Sequence, residues 1–229
     1  NIINALFIVA EAAFGIGLGA AGLTIPQIFL ITAILPAAVA LSLYTLVPEF
    51  LMRFLSWLIV SVLYRIRVAG ADNLPEAGAA VLVANHVSFM DPLIVNAVTR
   101  RPPRFVMYYR IFNIPVLRFI FRTAKAIPIA GRREDEALME RAFAEVERTL
   151  AAGDLVCIFP EGGITRDGEV GPFRPGIERI LATQPVPVVP IALRGLWGSV
   201  FSRRDSALGR MRLPRRFRAR IEVAIGQPV

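Results

Sequence analysis

The sequence has 229 residues, enough for one globular domain and a smaller segment. Its hydrophobic fraction is 55% and its formal net charge is +8, with Lys125 as the only lysine among its basic residues. A basic surface beside apolar segments indicates an anionic membrane or a phosphate-bearing ligand, and nucleic acid explains the apolar segments poorly. One cysteine excludes an internal disulfide, and with a single histidine it argues against a Cys/His zinc site, so no metal is expected.

The first 48 residues are predicted to form two transmembrane helices. Residues 4–23 are almost wholly apolar, interrupted by Glu11, and their glycines would let membrane helices approach closely. Residues 25–47 form a second uncharged run, long enough at ~1.5 Å per residue to cross an apolar core of ~30 Å. Proline is tolerated in such helices. Because the chain begins at Asn1 in the middle of this pattern, we expect a part of a longer protein.

Residues 49–66 have a different pattern. Arg53, Trp57 and Tyr64 interrupt the apolar positions, and further arginines follow. An aromatic and basic edge of this kind is typical of an interfacial helix, although a third, short span is an alternative. In either case the segment would anchor the following domain to the bilayer.

The remaining residues, 67–229, are predicted to form an α/β sheet domain covered by helices, because short apolar runs alternate with helical stretches. Strands are expected at 65–70, 79–85, 104–108, 125–130, 155–159, 187–193 and 219–225. Helices are expected near 92–99, 113–122, 134–152 and 175–183. Cys157 lies within one of the apolar runs and is interpreted as a buried strand residue.

His86, the single histidine, follows the apolar run 79–85, and Asp91 comes five residues later. Side chains at strand ends often carry chemistry, and an imidazole can act as a general base near neutral pH when a carboxylate orients it. The structural alternatives are a buried, satisfied histidine and an Asp91 that caps the helix beginning at Pro92. No Gly-x-Ser-x-Gly motif supplies an enzyme nucleophile, so the substrate would have to supply it.

A second group of candidates follows the apolar run 155–159. Gly162 and Gly163 permit a tight turn, and Thr165 and Arg166 can donate hydrogen bonds to phosphate oxygens. Glu161 could bind a glycerol hydroxyl or hold an arginine in place. An ordinary strand-exit turn is the structural alternative.

Two further segments are more weakly indicated. Gly131 and Arg132 follow the run 127–130 and could bind a phosphate, or they could belong to a solvated basic surface. The proline-containing run 186–192 suits a buried strand better than the wall of an acyl-chain site.

Taken in order, these motifs resemble the glycerolipid acyltransferase family, such as the 1-acylglycerol-3-phosphate acyltransferases. The family's His-x4-Asp motif is seen at 86–91, its Phe-Pro-Glu-Gly motif at 159–162, and its proline-containing strand at 186–191. The resemblance covers roughly residues 63–229. It implies that His86 is the base, that Asp91 orients it, and that Glu161 and Gly162 help to bind the glycerophosphate. Arg132, after Gly131, and Arg166, after Gly162 and Gly163, stand at spacings that differ from those usual in the family. The resemblance therefore supports the catalytic pair more strongly than it supports these two arginines as phosphate ligands.

The first 60 residues resemble the last helices of a major-facilitator lysophospholipid transporter fused to such an acyltransferase. The implied protein is a bacterial inner-membrane enzyme of phospholipid synthesis whose catalytic domain faces the cytoplasm. The basic cluster from Arg203 to Arg220 favours that side, and the alternative for this cluster is a solvated, arginine-rich surface. The implied enzyme would transfer an acyl group from acyl-CoA or acyl-carrier protein to the free hydroxyl of a lysophospholipid, without metal or cofactor. The alternatives are a lysophospholipid transport or lipid-binding protein without catalysis, and a glycerol-3-phosphate acyltransferase.

Overall fold

A computed structural model of the chain describes residues 2–46, 48–199, 201–202 and 218–229. Within these ranges it describes no side chains for residues 2–8, 11, 43–46 and 48–50, so the predicted role of Glu11 lies outside the described side chains. Most of the predicted basic cluster, residues 203–217, also lies outside the described residues. The chain divides into two compact units, residues 1–51 and 52–229.

The first unit contains two helices, α1 (Ile2–Ala20) and α2 (Ile25–Leu46). Thr24 and Gln27 form one half of a capping box at the start of α2, because the Thr24 amide and the Thr24 hydroxyl both donate to Gln27 Oε1 (2.9 Å each). This cap gives the Thr24 amide, which has no partner within the helix, an acceptor where α2 begins.

Two glycines of α1 lie against α2. A Cβ atom placed on Gly15 or Gly19 would lie 3.9 or 3.8 Å from the Ile28 side chain, whereas Gly17 has no neighbour within 4 Å of that position. The glycines four residues apart therefore form the contact face, as the small-residue pattern predicts.

One helix among the described residues is long and apolar enough to cross a membrane. Its window, Ile25–Ser42 of α2, has a mean hydropathy of 2.0 and is 0% buried within the structure. Length and composition support a span for α2, while a membrane position for α1 stays a prediction.

The second unit is built on a seven-stranded sheet. Its strands are β1 (Tyr64–Ala69), β2 (Ala80–Ala84), β3 (Arg104–Tyr108), β4 (Ile127–Ile129), β5 (Leu155–Ile158), β6 (Val188–Arg194) and β7 (Ala219–Ile225). The spatial order is β1-β7-β6-β2-β5-β3-β4. All neighbouring pairs are parallel except β6 and β7. The carboxyl ends of β2, β5, β3 and β4 therefore lie along one edge of the sheet.

Helices of the second unit cover this sheet. They are the later part of α3 (Pro48–Leu63), and α4 (Asp91–Val98), α5 (Pro115–Thr123), α6 (Glu136–Ala151) and α7 (Gly176–Thr183). The predicted α/β architecture is confirmed, and every predicted strand and helix of this domain is present within a few residues of its expected bounds. The division of the chain into membrane, anchoring and acyltransferase parts stays a prediction.

Strand alternation produces two cores, one on each face of the sheet. On one face, Leu82 and Cys157 pack with Val60 of α3 and Ile94 of α4. On the other face the alternate strand residues pack with α6 and α7, through side chains such as Val146 and Ile180. Cys157 is fully buried in β5, as predicted, and β2 and β5 have apolar residues on both faces because both faces are covered.

Candidate active site

The edge of the sheet where β2 ends is fixed by Asn85. Its side-chain amide donates to the Leu193 carbonyl (3.0 Å), and its side-chain oxygen accepts from the Leu193 amide (2.7 Å). The Asn85 side chain thus makes the two hydrogen bonds to β6 that a strand residue would make with its backbone. The backbone of Asn85 can therefore leave the strand without breaking the pairing. The next residue, His86, therefore follows just after the end of β2.

His86 and Asp91 are in direct contact. The ring atom Nδ1 of His86 lies 2.8 Å from Asp91 Oδ2. A carboxylate accepts hydrogen bonds, so this contact fixes the tautomer that carries its proton on Nδ1 and leaves Nε2 as an acceptor. The His86 side chain retains 18% of its exposure, while Asp91 is completely buried. The predicted pair is therefore formed, with an orienting carboxylate inside and a partly accessible imidazole outside.

The Asp91 carboxylate also shapes the turn that precedes it. Oδ2 accepts from the amides of Val87 (2.6 Å) and Ser88 (2.9 Å) as well as from His86. The structural alternative of a helix cap is wrong in detail: the N-cap position of α4 is Met90, and the carboxylate turns back to upstream amides instead of the helix's own. Three donors on one oxygen hold residues 86–91 in a single conformation.

Burial has an electrostatic consequence for Asp91. Desolvation raises the pKa of the Asp91 carboxyl, and the hydrogen bonds from His86, Ser88 and Val87 oppose that rise. The second oxygen, Oδ1, is buried and accepts no hydrogen bond from the described residues. An anion in this position would be well placed to stabilise a positive charge that forms on the adjacent imidazole.

Phe159 supports the other side of the imidazole. Its ring stacks on His86 with centroids 4.3 Å apart and an interplanar angle of 22°. Together with the Asp91 contact, this stacking leaves the ring little freedom to rotate. The sequence motif indicated Phe159 only as its first residue, and it indicated neither this support nor the pairing of Asn85.

Glu161 joins the two strand ends. Its Oε1 accepts from the His86 amide (2.8 Å) and its Oε2 accepts from the Gly171 amide (3.0 Å). The Thr165 amide in turn donates to the His86 carbonyl (2.8 Å). Glu161 therefore holds the turn after β2 against the loop after β5. Its predicted contact with a glycerol hydroxyl stays a prediction, since a carboxylate has lone pairs for further donors.

The two neighbouring glycines differ sharply. Gly162 has a positive φ of 69°, and a Cβ atom there would lie 2.4 Å from Arg174 Nε. Arg174 thus crosses directly over Gly162. Gly163 has open space around the same position, with no atom within 4 Å. The backbone conformation and the close approach require glycine at 162 alone.

Thr165 and Arg166 have different surroundings. The Thr165 hydroxyl is engaged in the loop, donating to Asp167 Oδ1 (2.9 Å) and accepting from the Gly168 amide (3.0 Å). Arg166 is exposed and forms no hydrogen bond or ion pair within the part of the chain that the structure describes. Of the two predicted phosphate donors, Arg166 has the guanidinium available for a ligand.

The structure does not bring Gly131 and Arg132 beside the histidine. They follow β4, three strands from β2, so the two strand ends are separated by roughly 14 Å at ~4.8 Å per strand. Arg132 is exposed and pairs with Glu136 on the first turn of α6 (2.8 Å). This arrangement is the predicted basic-surface alternative, and a phosphate role for Arg132 stays a prediction.

A third loop, after β6, also borders the site, and sequence reasoning did not find it. Ser88 and Ser202 form an isolated antiparallel bridge, which ties this loop to the turn of His86. Trp197 packs on Gly168, where a Cβ atom would approach the indole to 2.9 Å. The Gly-Leu-Trp-Gly sequence at 195–198, directly after β6, is the feature of the sequence that could have indicated this loop.

The fold and site define an α/β protein whose sheet edge carries an oriented histidine–aspartate pair. The sequence profile of the Acyltransferase family matches residues 65–194, more than half of the chain. The chain therefore belongs to the acyltransferase family, which confirms the resemblance drawn from the two motifs. The matched range begins after the apolar helices, so the likeness of the first 60 residues to a transporter stays a prediction.

Several relatives are named 1-acyl-sn-glycerol-3-phosphate acyltransferase. A chloroplastic protein of Brassica napus is 32% identical over 142 residues, covering 61% of this chain and 40% of that protein. A protein of Borreliella burgdorferi is 25% identical, covering 56% of this chain and 51% of its own. This chain thus spans about half or less of the length of these relatives.

The fold has a counterpart among solved structures. The 1-acyl-sn-glycerophosphate acyltransferase PlsC from Thermotoga maritima superposes with a TM-score of 0.57 at 22% identity. The match covers 73% of this chain and 62% of that one. It supports the sheet-and-helix fold of the second unit.

Proposed function

We propose that this protein is an acyltransferase that uses His86 as a general base to acylate the free hydroxyl of a lysophospholipid. The observation that carries the proposal is the 2.8 Å contact between His86 Nδ1 and Asp91 Oδ2, which leaves Nε2 to accept a proton. Membership of the acyltransferase family supplies the class of reaction.

The proposed reaction is a direct transfer. His86 Nε2 takes the proton of the acceptor hydroxyl as its oxygen attacks the thioester carbonyl of acyl-CoA or acyl-carrier protein. The tetrahedral intermediate then expels the thiolate, the carbon–sulfur bond breaks, and the imidazolium returns the proton to sulfur. Asp91 would stabilise the imidazolium between these two steps. The products are an ester and a free thiol, with no net change in protons.

The acceptor we propose is a lysophospholipid such as 1-acylglycerol 3-phosphate. The names of the Brassica and Borreliella relatives support this choice. In this scheme the phosphate would lie near the loop of Gly162, Gly163 and Arg166, whose exposed guanidinium is within the same loop as Glu161.

We also propose that the protein resides in the bacterial inner membrane with its catalytic domain on the cytoplasmic side. The apolar window of α2 supports membrane residence. Acyl-CoA and acyl-carrier protein are cytoplasmic acyl donors, which is why we place the histidine on that side.

The test is acyl transfer by the purified chain in detergent, with labelled acyl-CoA and acyl-carrier protein offered to several lysophospholipids and to glycerol 3-phosphate. Two variants accompany it. His86→Ala removes the base, and His86→Asn keeps an amide donor that can reach Asp91 but cannot take a proton. Both should lose at least ~10²-fold in turnover while remaining folded, because general-base catalysis is lost.

Other outcomes would point elsewhere. Near-normal turnover in His86→Asn would overturn the mechanism. Transfer to glycerol 3-phosphate alone would assign the soluble acceptor instead. Lysophospholipid binding by a folded chain that transfers no acyl group from either donor would favour the transport or lipid-binding alternative.

A further inference from the structure

Helix α5 has one wide apolar face, and only part of that face is covered. Leu117, Ile120 and Phe121 are partly buried, and Phe121 packs against Phe112 with ring centroids 5.3 Å apart. At the uncovered margin of the same face, Val116 is 69% exposed and Phe119 is 71% exposed. Large apolar groups grouped on an exposed helix face mark an interaction surface more often than isolated ones do.

Positive charge borders the exposed apolar residues. Arg118 and Arg122 are both exposed and lie one helical turn apart, next to Phe119. Among the residues described, neither forms an ion pair, in contrast to Arg110, which is held by Glu134 (2.8 Å). We call Ile114, Val116, Phe119, Arg118 and Arg122 together the α5 surface.

The topology of the sheet puts α5 on the same face as α3 and α4. The connections β2–α4–β3 and β3–α5–β4 both run toward the β4 edge of a parallel sheet. Right-handed crossovers that run in one direction place their helices on one face. Ile94 of α4 shares its core with Val60 of α3, so these three helices cover a common face.

That face is apolar at α3 as well. Phe54 is 46% exposed and Trp57 is 53% exposed, and their rings stack with centroids 6.1 Å apart. On the opposite face of the sheet, α6 presents charged residues such as Glu140, Arg141 and Arg148 to solvent. The domain therefore has one apolar, arginine-bordered side and one charged side.

We propose that the α5 surface docks on an anionic lipid bilayer, as a second contact of the catalytic domain besides α3. Val116 and Phe119 would enter the interface, and the two arginines would bind lipid phosphates. Docking would hold the edge that carries His86 close to the membrane from which a lipid acceptor must come. This inference rests on the proposed membrane location and adds the surface that the domain uses.

The experiment uses the full chain in lipid nanodiscs. A fluorophore is attached at Asn113→Cys, which is exposed and adjacent to the α5 surface but leaves it intact. A matched control carries the label at Ala144→Cys, exposed on α6. Nanodiscs contain phosphatidylglycerol or phosphatidylcholine alone, with lipids that bear a quencher near the headgroup. Buried Cys157 does not compete for label in the folded protein.

We expect strong quenching of the label at 113 in phosphatidylglycerol nanodiscs and little at 144. Val116→Ser with Phe119→Ser should abolish the difference. Arg118→Gln with Arg122→Gln should weaken docking roughly 20- to 30-fold, since each basic residue at an anionic surface contributes about fivefold. The substituted side chains are exposed, and melting curves of the variants would verify that they remain folded.

Three results would overturn the proposal. The label at 113 could be quenched no more than that at 144. Quenching could be equal in neutral and anionic nanodiscs. The label at 113 could respond only when acyl-carrier protein is added, which would assign the surface to an acidic protein instead. Acyl transfer measured on the same samples separates these results from a failure of the proposed enzyme.

Discussion

At the scale of single residues, the site depends on one carboxylate oxygen. Asp91 Oδ2 orients the His86 ring and at the same time binds the amides of Val87 and Ser88. The same atom therefore fixes the turn and the tautomer. These three hydrogen bonds oppose the desolvation that disfavours the charged form of the fully buried aspartate.

Replacing Asp91 with asparagine tests the importance of its charge. An asparagine oxygen can still accept from the turn, but it carries no charge to stabilise an imidazolium, and its NH2 would be buried where Oδ1 lacks a partner among the described residues. We expect Asp91→Asn to lower kcat by roughly 10²- to 10⁴-fold, as in triads whose aspartate is replaced. Steady-state kinetics of acyl transfer measure this. Turnover within a few-fold of the unmodified protein would show that the carboxylate has only a structural role.

At the scale of elements, the loop after β5 organises the site from outside. Glu161 joins it to the turn after β2, and the Arg174 amide closes it on the Pro160 carbonyl (2.9 Å). Gly162 lies at the centre of this loop, where the arginine side chain crosses the backbone. The conformation of the loop therefore depends on contacts made by backbone amides and carbonyls, and the residue types alone do not indicate these contacts.

Gly162 and Gly163 form a matched pair for testing this element. In Gly162→Ala, both the positive φ and the clash with Arg174 are unfavourable, so we expect a loss of about 1–3 kcal/mol in unfolding free energy and reduced acyl transfer. Gly163→Ala has open space and should remain within about 0.5 kcal/mol. Thermal or denaturant unfolding measures both variants. Equal effects at the two positions would contradict this account of the loop.

At the scale of the whole domain, the centre of the sheet is apolar on both faces. β5 lies between β2 and β3, and its residues pack under α4 on one side and α6 on the other. Cys157 stands in the middle of this strand, completely buried. Its thiol can meet solvent only if the sheet opens.

The reactivity of Cys157 should therefore report on unfolding of the domain. Burial raises the pKa of its thiol, because the thiolate is the form that a dry interior disfavours. We expect negligible labelling of the native protein by a thiol reagent, with no increase between about pH 7 and 9, where a free thiol with a pKa of about 8.5 ionises. The unfolded chain should label quickly and faster as pH rises. Rapid native labelling would mean that β5 opens locally.

Much of this organisation could be predicted from the sequence, because local patterns record local physics. Strand and helix positions in the second unit follow from the alternation of apolar runs with helical periods. His86 and Asp91 were identifiable because they are five residues apart across one strand-to-helix turn, and a turn of that length can bring the two side chains together. A helix–helix contact at glycines of α1 was predictable in the same way, because residues four apart, such as Gly15 and Gly19, lie on one side of a helix.

Contacts between segments distant in sequence were decided only by the tertiary structure. The roles of Phe159, Asn85 and Trp197 depend on which strands are neighbours, and the order β6-β2-β5-β3-β4 is not written in any one segment. The same order separates the strand ends that lead to Arg132 and His86, although both residues follow an apolar strand. Similarly, the apolar pattern of α5 indicates a helix, but only packing shows which part of its wide apolar face the domain leaves uncovered.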